Sequence, residues 1–579
     1  MFEKRKRLDS HYLTQLSRDI DPDEIFLDAT NLPNFDKDQF EGRMEKPIGK
    51  GAIIAVALVF LFIELGFLAQ AANLQILQGD YFFSKSERNR LEDVPIFAMR
   101  GNIYDRTQTP LVWNAFDASV AKRAVNATTT KETSFARREY IAKPGFGHIL
   151  GYVSYPKRDS KGNYYQERFH GVDGVEEWYD SLLEGKNGRQ LVEEDALGNI
   201  QSDSIVEEPQ NGATLTLGVD ARVQEKFYTT IRALAEEKGY SSGAGAIMDV
   251  ENGELLALAS FPEYESSVLS DGADKKTIQG YLTDKRLVFL DRAVSGVYTP
   301  GSIVKPIMAI AALNEGLIDP KKQILSTGSI SIQNPYNPEL KSIFNDWKAH
   351  GWVNMQRAIA VSSDVYFYAI GGGFEDQRGL GISNIEKYAR MFGFGRNTGV
   401  DLVGEKLGTV PNPAWKAGAF GGEAWRLGDT YHTVIGQYGF QVTPLQAVRA
   451  IGAIANGGTL VTPHLVREPA QKFSTEKIAI PKKYFDIVRE GMRDAVTEGT
   501  VSGLSVGYVK VAGKTGTAEI DAGKKYINSW VVGFFPYDKP RYAFVVVMER
   551  GPYQNSIGGV YVMRQMFDWM SVNTPEYLE

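Results

Sequence analysis

The chain has no cysteine in 579 residues and only six histidines. Without thiols there can be no disulfide, no thiolate nucleophile and no cysteine-ligated metal site. A cysteine-free composition suits a protein exported to an oxidising compartment. Charge of one sign is also scarce: 64 Lys and Arg against 71 Asp and Glu leave a net charge of -7. That balance argues against a nucleic-acid binder, and no zinc-finger or Walker-type spacing is present. Internal repeats and low-complexity stretches are lacking too. Length alone calls for two or three domains.

Long apolar runs are absent with one exception. Gly51 to Ala72 reads GAIIAVALVFLFIELGFLAQAA, about the 20 residues needed to span a bilayer. Ala69-Gln70-Ala71 has the small-x-small look of a cleavage site. A signal peptide, however, begins with a short basic region, and here roughly 50 polar residues come first. An uncleaved anchor is therefore expected, preceded by a charge-rich, mostly disordered tail over residues 1–50. Lys37, Arg43, Lys46 and Lys50 precede the span, against Lys85, Arg88 and Arg90 after it. This bias, with the Lys4 to Arg7 cluster, tips slightly towards a cytoplasmic N-terminus. Glu64 inside the span is costly unless it meets protein or reaches the interface.

Residues 73–207 mix short strand-like runs with turn residues. From Gly212 the texture changes. Ala213 to Leu217 reads as a strand and Ala221 to Lys238 as a helix. Gly243 to Asp249 and Glu254 to Ser260 are strand-like runs joined across Asn252-Gly253, a strong hairpin signal. Val509 to Ile520, Ser529 to Phe535 and Tyr542 to Glu549 add three more. Strands first, helices in the middle and strands last predict an α+β domain, one antiparallel sheet covered by helices.

Three short polar motifs stand in order across this region. They are Ser302-Ile303-Val304-Lys305, Ser362-Ser363-Asp364 and Lys514-Thr515-Gly516-Thr517. A serine and a lysine three apart on a helix share one face, so the amine can sit beside the hydroxyl. That arrangement activates a weak nucleophile without a histidine. Tyr298-Thr299-Pro300-Gly301 reads as a turn delivering Ser302 to a helix start. Pro306 falls where a missing N–H is least harmful, and Gly316 marks the stop. The apolar run Ile307 to Ala311 makes this a buried helix, in which a lone lysine needs a reason. Singly, S-x-x-K occurs by chance and Ser-Ser-Asp is common in turns and caps; all three in order are specific. Asp346 and His350, four apart on what the spacing suggests is a helix, are a possible ligand pair. No third ligand stands at a clear spacing, and no metal is assigned. Trp347 and Trp425 read as core or groove aromatics.

With their surroundings, these motifs resemble those of the class B penicillin-binding proteins, the membrane-anchored transpeptidases that crosslink peptidoglycan. Tyr298 to Pro306 is similar to Y-x-P-G-S-x-x-K-P. Arg100 to Arg106 looks like R-G-x-I-x-D-R, His148 to Tyr152 like H-x-x-G-Y, and Gly171 to Gly188 like the segment carrying G-x-x-G-x-E. Gly436-Gln437, Thr443 to Gln446, Ala455 to Gly458, Ala512 to Ala518 and Val532 to Phe534 are also similar to family segments. The likeness covers essentially everything after residue 50. Ser-Ser-Asp in the second motif, Asp346-Trp347-Lys348, Ala358-Ile359 and Val365 to Tyr368 are similar to the elongation branch, the penicillin-binding protein 2 type. Two features depart from it. Gln437-Tyr438-Gly439 differs from the usual G-Q-G run, and residues 107–147 are few where elongation-type relatives carry a larger head.

The resemblance implies a cytoplasmic tail (1–50), a transmembrane anchor (51–72), a β-rich non-catalytic pedestal of the dimerisation type (73–207) and a transpeptidase domain (208–579). That domain would be extracytoplasmic, on the cell (inner) membrane. Ser302 is then the nucleophile on the carbonyl between two D-alanines, and Lys305 its proton acceptor. Ser362 relays protons to the amines, and Asp364 fixes the local geometry of the substrate site. Lys514, Thr515, Gly516 and Thr517 line the neighbouring strand. There Lys514 supplies positive charge, Gly516 admits the substrate backbone and Thr517 meets the terminal carboxylate. The N–H groups of Ser302 and Thr517 form the expected oxyanion hole. No cofactor is implied. The implied partners are stem peptides (D-Ala-D-Ala donor and amine acceptor), β-lactams and the elongation machinery. The E-D-x-x-F-x-x-H-x-G-type motif of a fused glycosyltransferase is missing, which implies a separate SEDS (RodA-like) glycosyltransferase. The alternatives are a division-type transpeptidase and a D,D-carboxypeptidase or β-lactamase-like hydrolase on the same scaffold. The N-terminal module and anchor disfavour the hydrolase. A single span disfavours a β-lactam-sensing receptor, and intact motifs disfavour an inactive scaffold.

Overall fold

A computed structural model of the chain describes residues 49–116, 135–160, 164–194, 200–334, 337–467, 473–520, 523 and 525–579. The tail expected over residues 1–50 falls almost wholly outside them, as do residues 117–134 of the short head. The chain divides into two compact units, Met1–Arg90 and Leu91–Glu579. In the first, the apolar run forms α1 (Lys50–Ala72), and the helical span continues to Leu77, long and apolar enough to cross a membrane. Where strand-like runs were expected from residue 73, the chain stays helical. A π-helical turn over Asn73–Leu77 leads to α2 (Gly79–Arg90), with Asp80 in its first turn. Glu, Lys and Arg in this stretch are good helix formers, and an acidic first turn suits the helix dipole.

In the second unit, β1 (Leu91–Ile96) precedes a four-stranded sheet containing β2 (Ile103–Tyr104), β3 (Pro110–Ala115) and β4 (Arg137–Tyr140). The short helix α3 (Gly174–Trp178) follows. Next come β5 (Gly188–Glu194) and β6 (Ile200–Glu207), which pair with β1 in the order β1-β5-β6. The strand β7 (Leu215–Thr216) closes the four-stranded sheet by pairing in parallel with β2.

Four charged residues of this region meet in one buried ion cluster. Glu176, on α3, lies 2.5 Å from Arg100 Nε and 2.8 Å from Arg138 Nε, all three side chains fully buried. Asp180 completes it, 2.7 Å from Arg100 Nη1. The spare guanidinium donors are used as well: Arg138 Nη2 donates to Gly101 O at 2.7 Å, and Arg100 Nη2 to Glu176 O at 2.8 Å. Buried charges survive only when paired and hydrogen-bonded in this way. The Asp105 carboxylate turns its own loop by accepting from Thr107 N and Thr109 N, and reaches across to Ala221 N at 3.0 Å.

That last contact caps α4 (Ala221–Lys238), which lies on the large sheet. The sheet begins with the expected hairpin, β8 (Ser242–Asp249) and β9 (Leu255–Phe261). Helices then intervene, among them α5 (Lys305–Asn314). After it the hairpin β10 (Ser329–Asn334) and β11 (Asn337–Asn345) stands apart from the large sheet. The helices α6 (Met355–Val361), α7 (Asp364–Gly372), α8 (Pro444–Ala455) and α9 (Lys482–Glu498) follow. Finally β12 (Ala512–Glu519), β13 (Tyr526–Phe535) and β14 (Tyr542–Pro552) precede α10 (Gly559–Asn573).

The five strands run antiparallel in the order β9-β8-β14-β13-β12. Both faces are covered, so the central strands are buried throughout rather than alternating. On β14, Phe544, Val546 and Met548 pack with Phe227 of α4 and Phe567 of α10. Ala543, Val545 and Val547 pack with the middle helices. The last strand, β12, is the edge beside which the site is built.

Replacing Glu176 by Gln keeps the shape but strands two buried guanidinium groups. The expected cost is about 3–5 kcal/mol, read as a lower unfolding midpoint of the detergent-solubilised chain. An unchanged midpoint would mean that Asp180 alone balances both arginines.

Candidate active site

The expected turn is present and delivers Ser302 as predicted. Tyr298 and Val442 exchange backbone hydrogen bonds of 2.9 Å, and Gly301 N donates to Gly436 O at 2.9 Å. The chain then makes a 3₁₀ turn, Gly301–Val304, before α5 begins at Lys305. Gly301 has φ +56°, a conformation that suits glycine. A Cβ on it would lie 2.7 Å from Thr517 O, and one on Gly516 would lie 2.7 Å from Pro300 O. The turn and the edge strand therefore touch backbone to backbone. Gly516 was expected to admit the substrate backbone; its bare Cα instead admits the turn that carries Ser302. The difference is one of direction, since Gly516 shares its strand face with Lys514, whose side chain also points inwards.

Ser302 is partly buried and Lys305 wholly so. The α5 sequence is apolar all round after Lys305, as befits a helix buried on every side. Its amine therefore needs partners inside the protein, and it finds three: Ser362 O at 2.8 Å, Asp364 Oδ1 at 2.6 Å and Ser362 Oγ at 3.3 Å. The Phe367 ring lies 5.3 Å away.

The second motif sits at a break between two helices. After α6 ends at Val361, Ser362 takes φ 58° and ψ 38°, left-handed and non-glycine. Ser363 then caps α7, its hydroxyl accepting from Tyr366 N at 3.3 Å. This kink turns the Ser362 hydroxyl towards both lysines. Lys514 Nζ lies 2.8 Å from Ser362 Oγ and 2.9 Å from Thr515 O.

Lys514 is fully buried. Burial, reinforced by the charge of Lys305, pushes its amine well below the usual lysine range, against the opposing pull of Asp364. Positive charge for a substrate carboxylate is the expected role; in the structure the amine is turned to Ser362 Oγ, and burial disfavours its charged form. Thr515 points to the other face and donates to Thr500 Oγ1 at 2.8 Å. Thr517 is exposed on that same face.

Asp346 and His350 do not lie on a helix. They stand in the loop between β11 and Gly351, with His350 Nε2 3.4 Å from Asp346 Oδ1. Among the described residues no group of three or more His, Cys, Asp or Glu side chains is gathered as for a metal. The other Asp346 oxygen is taken by Ser326 Oγ, Ser363 Oγ and Val365 N. Trp347 is exposed but donates its indole N–H to Val361 O at 3.3 Å. Trp425 donates to Thr430 Oγ1 at 2.8 Å and packs on Tyr438. Tyr438, where the G-Q-G pattern departs, has φ 62°. Its ring is held among Trp415, Phe420, Trp425 and His432. Sequence reasoning missed three participants: Asp346 as a support for the second motif, Thr500 and Gly436. None stands at a spacing that ties it to its partner, which lies 17, 15 or 135 residues away along the chain.

A serine at a helix start, two buried lysines and a second serine between them define a histidine-free serine acyl-transfer site at the edge of an antiparallel sheet. The comparisons agree. The penicillin-binding protein transpeptidase domain matches residues 243–566, and the penicillin-binding protein dimerisation domain matches residues 117–217. The peptidoglycan D,D-transpeptidase MrdA of Acinetobacter baumannii is 30% identical, over 91% of this chain and 88% of its own length. In the solved complex between penicillin-binding protein 2 and MreC from Helicobacter pylori, a chain superposes with a TM-score of 0.67 at 27% identity. That match covers 83% of this chain and 98% of the other. A chain of a peptidoglycan synthase complex that coordinates polymerization and crosslinking gives 0.67 at 26% identity, over 90% and 98%. The chain belongs to the class B penicillin-binding proteins, and among them to the penicillin-binding protein 2 type.

Because burial lowers the proton affinity of Lys514 in the folded chain, the unfolded chain binds that proton more readily. Between the depressed folded value and the unfolded value of about 10.4, stability therefore rises with pH. Lys514→Met is expected to flatten that part of the slope when melting temperatures are compared across alkaline pH. Parallel slopes for wild type and variant would mean that Lys514 keeps its proton when buried.

Proposed function

We propose that this chain crosslinks peptidoglycan during cell-wall elongation by two successive acyl transfers through Ser302. The observation that carries the reading is the Ser362 hydroxyl, bonded to both Lys305 and Lys514 beside the turn that bears Ser302. Ser302 Oγ attacks the carbonyl carbon between the two D-alanines of a stem peptide, and its proton passes to Lys305. The C–N bond breaks, and the departing D-alanine amine takes a proton through Ser362. The donor peptide is left as an ester on Ser302. An acceptor amine then attacks that ester, loses its proton by the same route and frees the serine. Proton relays of this kind contribute about 10²–10⁴ in rate.

Asp364 keeps the Lys305 amine aimed at Ser362, and the Ser302 and Thr517 N–H groups receive the oxyanion. Thr517, exposed on the edge strand, meets the terminal carboxylate. A β-lactam enters as a mimic of the same amide and stays on Ser302. No cofactor takes part.

The anchor reading places the catalytic unit outside the cytoplasm and leaves glycan polymerisation to a partner. A SEDS (RodA-like) glycosyltransferase contacted through α1 fits this reading. Glu64 is exposed on α1, and an intramembrane carboxylate usually faces protein or a water-filled cavity. Gly66 and Ala69 nearby allow close helix approach. Assemblies of penicillin-binding protein 2 with MreC and in a synthase complex are consistent with such partners.

Ser302→Ala should abolish labelling by a fluorescent penicillin while the chain stays folded; stoichiometric labelling of that variant would reassign the nucleophile. Thr517→Val removes one hydroxyl, with an expected loss of about 1–3 kcal/mol, roughly tenfold to a hundredfold in acylation efficiency. For the partner, the measurement is co-purification of the polymerase from membranes with a chain carrying a foreign anchor. Loss of the polymerase is expected, and full retention would exclude α1 as the contact.

A further inference from the structure

We propose that Asp346 is a positioning residue of the acyl-transfer site, holding the Ser362 kink in register with Lys305 and Lys514. The inference rests on the acyl-transfer reading and adds a residue that touches neither Ser302 nor either lysine in any hydrogen bond of the structure.

The need for such a residue comes from the kink itself. Ser362 sits in a left-handed conformation between two helices, and strained non-glycine backbone persists only where its surroundings over-determine it. On one side the restraint is clear, because Lys305 holds the Ser362 carbonyl at 2.8 Å. On the other side the chain continues into α7, whose first N–H groups have no partner within the helix. The Asp346 carboxylate meets that end. Its Oδ2 accepts from Ser363 Oγ at 2.9 Å, from Val365 N at 3.0 Å and from Ser326 Oγ at 3.2 Å. Its Oδ1 accepts from Trp347 N at 2.9 Å and faces His350 Nε2 at 3.4 Å. The Asp346 side chain is fully buried, so these bonds are not exchanged for water.

The Ser363 hydroxyl shows how the carboxylate acts at a distance. It accepts from Tyr366 N, so its single proton is free to go to Asp346. Ser363 and Val365, which flank Asp364, are thus both tied to one fixed anion, and the helix dipole favours that anion there. The same loop grips the helices at two further points: Trp347 Nε1 donates to Val361 O, where α6 ends, and Tyr368 of α7 donates to Asn345 O at 3.1 Å. The segment just after the β10–β11 hairpin therefore clamps both helices on either side of Ser362. Asp346 supplies the only charged group in that clamp among the contacts named.

The effect falls on the chemical step and not on ligand capture. Small misplacement of the Ser362 hydroxyl lengthens its bonds to the lysines while leaving the cleft surface unchanged. The test uses the full-length chain in detergent and a fluorescent penicillin. Dependence of the labelling rate on concentration separates the initial dissociation constant from the acylation rate constant. Asp346→Asn preserves size but replaces an acceptor by a donor. Its acylation rate constant should fall about tenfold to a hundredfold, with the dissociation constant unchanged. Ser363→Ala deletes only the linking hydroxyl and should fall in the same parameter by a smaller factor. In the double variant the two losses should combine to less than their product, because both include the one Ser363–Asp346 link.

Wild-type acylation in Asp346→Asn, a loss confined to the dissociation constant, or losses that multiply in the double variant would each overturn the inference. Should Asp346→Asn fail to fold at the assay temperature, Ser363→Ala decides alone, and an unchanged acylation rate constant rejects the link. A wild-type chain that takes no penicillin would overturn the acyl-transfer reading itself, and this inference with it. A labelled wild type matched by Asp346→Asn overturns this inference only.

Discussion

The site depends on a single buried amine. Lys305 opens a helix that is apolar on every side, and an amine left without hydrogen-bond partners there would cost several kcal/mol. Its hydrogen bonds to Ser362 O, Ser362 Oγ and Asp364 Oδ1 are what make burial tolerable. Those acceptors come from the break between α6 and α7, so the amine that serves the chemistry also joins the nucleophile's helix to the second motif. A structural requirement and a catalytic arrangement are met by one set of bonds.

The edge of the sheet is the second constraint. An edge strand exposes unpaired backbone groups and is normally covered or blunted. Here β12 receives the turn that carries Ser302, and the contact is close because glycines stand on both sides, Gly301 and Gly516. The inward face of the strand places Lys514 under the same helices, where burial and Lys305 depress its proton affinity. Two lysines thus share one hydroxyl with different electrostatic characters. Lys305 is balanced by a carboxylate, whereas Lys514 meets only a hydroxyl and a carbonyl.

Outside the site, the polar motifs between residues 100 and 180 are explained by charge burial. Arg100, Arg138 and Glu176 form one network, and Asp105 separately ties its own loop to the first turn of α4. A further bridge runs from Tyr179 to Asp401, whose carboxylate accepts from Leu465 N and Val466 N. Burial raises Asp401 above the usual carboxylate range, opposed by those donors. The β-rich region is thereby fastened to the catalytic region through buried and half-buried hydrogen bonds, alongside exposed ion pairs such as Arg137–Asp271 and Lys143–Glu225 that salt would screen.

The sequence by itself determined most local features of this protein, residues 73–90, helical where strand-like runs were expected, being an exception. The apolar run made α1, Asn252-Gly253 turned the hairpin between β8 and β9, and Tyr298 to Pro306 set a turn, a 3₁₀ step and a buried helix in succession. Ser302, Lys305, Ser362 and Lys514 were legible because each lies in a motif whose meaning is contained within four residues. What lay beyond that range was decided by packing alone. Gly516 lies against the protein's own turn, and burial depresses the proton affinity of Lys514. Asp346 and His350 left the helix that their spacing implied, and Asp346 became the support of a serine 17 residues away. The physical reason is common to all of these. Periodicity and capping act along the chain over one or two turns, whereas the direction of a strand face, the dielectric around an amine and the partner of a carboxylate are set by whichever segments the folded core brings together.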